Sequence, residues 1–313
     1  MIAPFTSRPY HIDHDLELML SILLQARQQT SDWRYLHVGE LAWNFFQVAI
    51  HLDPQQFIRL WFDNNNLVAF SILGEDPSFD VQVLPAYAWQ GIEEDALIWA
   101  ETRIASLRQQ DAQLWGGPCS TFARQDDPLR RSFLEQHGFH EGGGFSEVNM
   151  MRSLQEPIPD PLNPAGIQVR PLAETGELSS RADVQRQVWH PWSVGILSDA
   201  DYAYYMTLPP YHRDLDIVAV APDGTIVSYV NGWIDPVNHI GDIGPLGALE
   251  AYRNLGLTRA VIQVCLQNMR TYGMDRVEVS TGINNNPARN LYQSLGFISE
   301  NYNLEYLKPG VAN

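Results

Sequence analysis

Lysine is all but missing: Lys308 is the single one among 313 residues, so the remaining 19 basic side chains are arginine. Bases of either kind are few against 37 Asp and Glu, which leaves a net charge of −17. A surface this acidic repels nucleic acid and anionic lipid, and suits a cationic acceptor. Cysteine is equally scarce. Cys119 and Cys265 stand far apart, without a CxxC spacing and without histidine at ligand distance. That argues against a disulfide framework or a zinc site and leaves each as a small buried hydrophobe. No run approaches the roughly 18 apolar residues of a membrane helix. The first residues, with acids at Asp13, Asp15 and Glu17, do not form a signal peptide. The expectation is a cytoplasmic chain with no metal, no nucleic-acid partner and no membrane.

What is present is a globular composition, 45% apolar and 11% aromatic, in a length that suits two domains. Four prolines fall between Gln155 and Gly166 and block both helix and ladder pairing, so residues 155–166 read as an extended linker. It separates a domain at 1–154 from one at 167–313, and the net charge is −11 before Pro157 and −6 from there on. The two halves end alike. Leu129–Phe139 and Pro287–Phe297 both read as short amphipathic helices closed by Gly-Phe. The second half spells a strand, two helices, three antiparallel strands with a turn at Pro222-Asp223-Gly224, then helix, strand, helix and two closing strands. The first half repeats this approximately, with strands near 57–62, 67–73 and 79–84 and a helix over 93–109. A duplicated α/β fold follows, each copy a mixed, mostly antiparallel sheet flanked by helices.

The segment with chemical content is Asp242–Arg259. A strand runs into Arg253-Asn254-Leu255-Gly256-Leu257-Thr258, where a helix begins. Backbone N–H groups at a helix N-terminus have no internal partners and carry the positive end of the dipole, so they suit phosphate oxygens; Gly256 lets an anion approach. The Arg-x-x-Gly spacing alone is weak, and its context gives it weight.

With Arg253, Gly256, Asn285, Ala288, Tyr292 and Gly296-Phe297 in this order, the sequence resembles the GNAT superfamily of acetyl-coenzyme A-dependent N-acetyltransferases. Its doubled layout is similar to that of the mycothiol synthase group. The resemblance implies that Leu246, Gly247, Ala248 and Leu249 pair with pantetheine. It also implies that Arg253, Asn254, Leu255, Gly256, Leu257, Thr258 and Arg259 cradle the pyrophosphate, with Asn285 in the same motif. Thr258 departs from the family's Gly or Ala there, yet keeps its backbone N–H. Tyr292 matches the tyrosine that protonates the departing sulfur, and otherwise reads as a core aromatic. Asp242, or a water it orients, is the candidate base, with Glu278 as the alternative carboxylate; Glu250 reads as surface.

The acceptor is expected to be a small-molecule primary amine. Trp189, His190 and Trp192 around Pro191, and Asp199, Asp201, Tyr202, Tyr204 and Tyr205, are candidates for its pocket, each also explicable as ordinary packing. Tyr35–Glu40 reads as a turn into a helix, Gly142–Gly144 as a hairpin loop and Asp63–Asn66 as a strand-to-strand turn. In the first half the signature is lost: Ala88 replaces the loop arginine, Glu93 a glycine, Leu134 the tyrosine and Asp127 the asparagine. A non-catalytic coenzyme A sensor or scaffold is the alternative function.

Overall fold

Leu67–Leu73 and Ile226–Ile234 contain few polar residues, and runs of that kind form strands with both faces covered. Each becomes the central strand of its own unit in the computed structural model, which describes residues 5–12, 14–30, 33–161, 166–173, 175–191 and 198–310. The first unit comprises Met1–Asn149 with Thr281–Asn285 and Glu300–Asn313, and the second Met150–Ser280 with Asn286–Ser299.

In the first unit the chain runs through β1 (Thr6–Pro9), α1 (Asp15–Thr30), α2 (Val38–His51), α3 (Pro54–Phe57), β2 (Ile58–Asp63), β3 (Asn66–Leu73) and β4 (Phe79–Val83). It continues through α4 (Ile92–Gln110), α5 (Ala112–Trp115), β5 (Cys119–Arg124), α6 (Pro128–Gln136), β6 (His140–Glu141) and the start of β7 (Glu147–Ser153). Strands β1 to β4 are antiparallel in sequence order. Seven of the eight residues of β3 are buried, with α1 and α4 packed on it. The turn at Tyr35–Glu40 starts α2 through a capping box: the His37 ring accepts from the Gly39 N–H at 3.1 Å and the Glu40 carboxylate from the His37 N–H at 2.7 Å.

The second unit holds the rest of β7, β8 (Gln168–Pro171), α7 (Leu178–Trp189), α8 (Asp199–Tyr205), β9 (Asp216–Val220), β10 (Ile226–Asp235), β11 (Ile240–Ala248), α9 (Leu257–Thr271), β12 (Arg276–Gly282) and α10 (Asn286–Ser294). Its strand order is β7-β12-β11-β10-β9-β8. Strands β8 to β11 are antiparallel, and β12 runs parallel to β11. The expected turn closes β9 to β10 with Gly224 at φ 86°. The segment Gln155–Pro161 has no regular structure, and it lies along this unit: Ile158 is buried, the Arg152 guanidinium donates to the Pro157 carbonyl, and the Gln263 amide donates to that of Pro159.

The chain closes differently from the expected pair of strands. Ile298–Lys308 contains no glycine or proline to break it and forms one strand, β13. Its Asn303–Lys308 segment pairs antiparallel with β5, so the last strand of the second half of the sequence belongs from Glu300 onward to the first unit.

Every residue of β10 is buried. The polar side chains on it are spent on neighbours. The Arg181 guanidinium of α7, fully buried, donates to Asp216 at 2.8 Å, to Gln185 at 3.1 Å and to Asn231 at 2.6 Å. It also stacks on Tyr229 at 3.8 Å. Tyr202 and Tyr211 donate to the other Asp216 oxygen. Burial opposes the arginine's charge, but Asp216 and the tyrosine rings raise its pKa above the ordinary value. On the other face Gly232 admits α9: a Cβ there would lie 2.4 Å from the Cys265 sulfur.

Removing one partner of such a buried pair costs about 3–5 kcal/mol. Arg181→Ala is therefore expected to lower the urea midpoint far more than Gly232→Ala, whose overpacking costs about 1–3 kcal/mol. An unchanged midpoint for Arg181→Ala would mean the pair does not hold α7 and α8 in place.

Candidate active site

The site begins where two strands part. The parallel ladder joins Ile240, Gly241 and Asp242 of β11 to Arg276, Val277 and Glu278 of β12. Among the described residues it goes no further, while β11 continues to Ala248. Across from β12, β11 stays paired to β10, but with a register shift: Val230 faces Leu246 and Gly232 faces Ile243. The extra residue makes a bulge at Gly244-Pro245, which bends β11 away. The Trp233 indole N–H donates to the Gly244 carbonyl at 2.6 Å and fixes the bend. Ile243–Ala248 thus has a strand along one edge only, and the other edge offers backbone groups to an extended ligand. Of the four residues expected to pair with pantetheine, Leu246, Gly247 and Leu249 are half-buried and Ala248 is buried. Sequence reasoning missed the bulge, although Gly-Pro in a strand pattern signals one.

Side-chain alternation sorts the residues at the split. A Cβ on Gly241 would meet Met269 of α9 at 2.7 Å, so Gly241 faces α9. One residue on, Asp242 faces the opposite side, and its cross-strand neighbours Trp233 and Glu278 share that face. Asp242 and Glu278 are both buried, at 8% and 3% exposure. Tyr292 on α10 is buried at 4%, with its ring 5.7 Å from that of Phe297. Its pKa is raised by burial first and then by the Asp242 charge. Tyr292 thus lies within electrostatic reach of Asp242, and the ladder places Glu278 beside Asp242.

Beyond Ala248 a single 3-10 turn at Glu250–Tyr252 leads to the loop, where Asn254 and Gly256 take left-handed φ of 63° and 78°. Gly256 is the N-cap of α9, with no side-chain cap and no acidic residue in the first turn. A Cβ on Gly256 would meet nothing within 4 Å. Unfilled N–H groups, open space and positive φ fit a phosphate group. Arg253, Asn254, Leu255 and Gly256 are exposed, Leu257 is buried and Thr258 is half-buried. Arg259 differs from expectation: its guanidinium donates to the carbonyl and hydroxyl of Ser294 on α10, so it ties two helices together. Asn285 lies in the stretch counted with the first unit, its amide 3.3 Å from the Thr281 hydroxyl.

Residues 183–297 match the model of the Acetyltransferase (GNAT) family. That stretch is similar to GNAT acetyltransferases. An N-alpha-acetyltransferase of Sulfurisphaera tokodaii is 36% identical over 111 residues, which cover 31% of this chain and 65% of that protein. A mycothiol acetyltransferase of Thermomonospora curvata is 25% identical over 169 residues, 52% of this chain and 54% of that one. The chain thus spans about half to two thirds of the length of these curated relatives. Two solved structures share the fold over the whole chain. The GCN5-related N-acetyltransferase of Sphaerobacter thermophilus has a TM-score of 0.66 at 18% identity, covering 99% of this chain and 98% of its own. A tandem GNAT protein from the clavulanic acid biosynthesis pathway has 0.66 at 13%, covering 99% and 100%. The fold is thus that of tandem GNAT proteins.

The acceptor-side candidates divide. Tyr202 and Tyr205 of the second unit are buried, Tyr202 bonding to Asp216, and Asp201 caps α8 with Ser198. They are parts of the core, and burial denies Tyr202 and Tyr205 contact with an ammonium group in solvent. Asp199 lies 3.7 Å from the Arg186 guanidinium and Tyr204 is 39% exposed. Trp189 donates to the Tyr229 hydroxyl at 2.7 Å, and His190 is exposed. Trp192 lies outside the described residues. No helix among the described residues is long and apolar enough to cross a membrane, and they hold no cluster of three metal-ligating side chains.

Because burial and a neighbouring carboxylate both favour the neutral phenol, Tyr292 is expected to stay protonated beyond pH 10, the ordinary tyrosine value. Ultraviolet titration of wild type against Tyr292→Phe checks this; a difference signal near pH 10 or below would contradict the placement.

Proposed function

We propose that the second unit transfers the acetyl group of acetyl-coenzyme A directly to a primary amine, with a small molecule as acceptor. The observation that supports this best is the conjunction at one strand split: an open β11 edge, an uncapped helix N-terminus beyond it, and a buried Tyr292 within electrostatic reach of Asp242. The Arg253–Thr258 loop holds the pyrophosphate on the N-terminal N–H groups of α9, and Leu246–Leu249 align the pantetheine along β11. The thioester supplies an activated acyl carbonyl and a thiolate leaving group.

Three proton movements remain for the protein. Asp242, or a water it holds, takes one proton from the acceptor ammonium so that its nitrogen lone pair is available for attack on the thioester carbonyl. Tyr292 donates its phenolic proton to the departing sulfur as the C–S bond breaks, and the second N–H proton, lost from nitrogen as the amide forms, restores the phenol. Glu278 adds a second carboxylate on the same face. The net charge of −17 favours approach of a cationic amine.

General acid catalysis contributes typically 10²–10⁴-fold, so Tyr292→Phe is expected to lower kcat by about 10²-fold with little change in coenzyme affinity. A thiol-release assay with acetyl-coenzyme A reads this, using an amino sugar, a diamine and a short peptide with a free α-amine as acceptors. Unchanged kcat removes Tyr292 from the chemistry. Faster turnover of the peptide moves the acceptor to protein N-termini, the reading favoured by the 36% identical relative named an N-alpha-acetyltransferase. Coenzyme binding without thiol release for any amine leaves the sensor or scaffold reading.

A further inference from the structure

The first unit repeats the loop of the second almost torsion for torsion. Leu84 and Leu249 have φ, ψ of −53°, 140° and −55°, 143°, and each precedes a single 3-10 turn, Pro85–Tyr87 in one and Glu250–Tyr252 in the other. Trp89 and Asn254 follow with φ of 62° and 63°, then the left-handed N-cap glycines Gly91 and Gly256. The strand split is repeated as well. Ser78, just before β4, meets Ser120 of β5 through a parallel bridge, the counterpart of Asp242 to Glu278. Serines thus stand where the second unit has its two carboxylates.

What differs is what fills the split. Arg130 of α6 reaches between the strands: its Nε donates to the Phe122 carbonyl of β5 at 2.7 Å and its Nη1 to the Val81 carbonyl of β4 at 3.2 Å. Its Nη2 donates to Asp80 at 3.2 Å and to the Thr121 hydroxyl at 3.3 Å. Counted back from the helix-ending Gly-Phe, the residue at this place in the second unit is Ala288. At the loop, the Glu93 carboxylate accepts from the Trp89 N–H at 2.8 Å, and its second oxygen is buried without a hydrogen-bond partner. Counted from the cap glycine, the second unit has Thr258 there. A carboxylate in the first turn already complements the dipole that a phosphate would otherwise satisfy. Burial raises the Glu93 pKa, against the Trp89 N–H and the Arg130 charge, which lower it.

We propose that Arg130 and Glu93 close the first unit to coenzyme, so that one chain takes one coenzyme molecule. Arg130 bridges the strands where a pantetheine chain would run, and Glu93 supplies the helix N-terminus with an anion of its own. The inference rests on reading the second unit's loop as the coenzyme site. It goes beyond that reading in assigning the first unit's closure to two named side chains, not to a general loss of motif.

Calorimetric titration of the full chain with coenzyme A tests it in three forms. Wild type is expected to show one site, Gly256→Asp none, and Gly256→Asp/Glu93→Thr/Arg130→Ala one site regained. Residual binding in Gly256→Asp would show that the first unit is open and overturn the proposal. A triple variant that melts cooperatively yet binds nothing would overturn it too, because some other feature would then do the closing. Should the triple variant fail to fold, Gly256→Asp/Glu93→Thr titrated with inorganic pyrophosphate probes the loop alone, and an absence of heat there overturns the assignment of Glu93. A wild type with no site counts against the proposed function, and the triple variant still decides the closure.

Discussion

Two parallel strands that pair for three residues and then separate set the rest of the second unit. A parallel ladder satisfies the backbone of both strands, so leaving it after Asp242 and Glu278 exposes N–H and C=O groups that need another partner. The bulge at Gly244-Pro245 makes the departure, and the Trp233 indole holds it. Everything proposed for the site then follows from position. The open edge of β11 precedes the loop, the loop precedes an uncapped helix, and the buried carboxylates lie at the fork.

Such a fork is useful only if its walls do not move, and the buried Arg181 supplies the support. It joins α7 to β9 through Asp216 and to β10 through Asn231, while Tyr202 and Tyr211 bring α8 and its following turn to the same carboxylate. With α7 so placed, Val188 sits against Gly247, where a Cβ would come within 2.2 Å of its Cγ1. A glycine on β11 is therefore required by packing as well as by ligand approach. A buried, paired charge is a weak contributor to net stability but a strong one to a unique arrangement, since no alternative packing leaves it satisfied.

The two units show how little backbone change separates an open groove from a filled one. Their loops share torsions at the 3-10 turn and at the left-handed positions, which places backbone N–H groups in the same arrangement. Side chains distinguish the loops, and β4 also lacks the bulge that bends β11. Glu93 and Arg130 bring opposite charges to the two ends of one groove, and the first unit holds them with hydrogen bonds made inside itself.

Much of this was legible in the sequence because it depends on local rules. The strand, loop and helix around Gly256, the Gly-Phe helix ends and the Pro222-Asp223-Gly224 turn are set by torsional preferences within a few residues, and the structure places each where those preferences imply. The halves were visible as a repeat for the same reason. Other features depend on partners distant in the chain. That β13 closes against β5, that Arg259 turns to Ser294, that Tyr202 and Tyr205 serve the core, and that Arg130 enters the strand split have no local signal. Periodicity tells which residues prefer burial. Which strand, helix or charge meets them is decided only when the chain has folded and long-range contacts compete for the same backbone and side-chain groups.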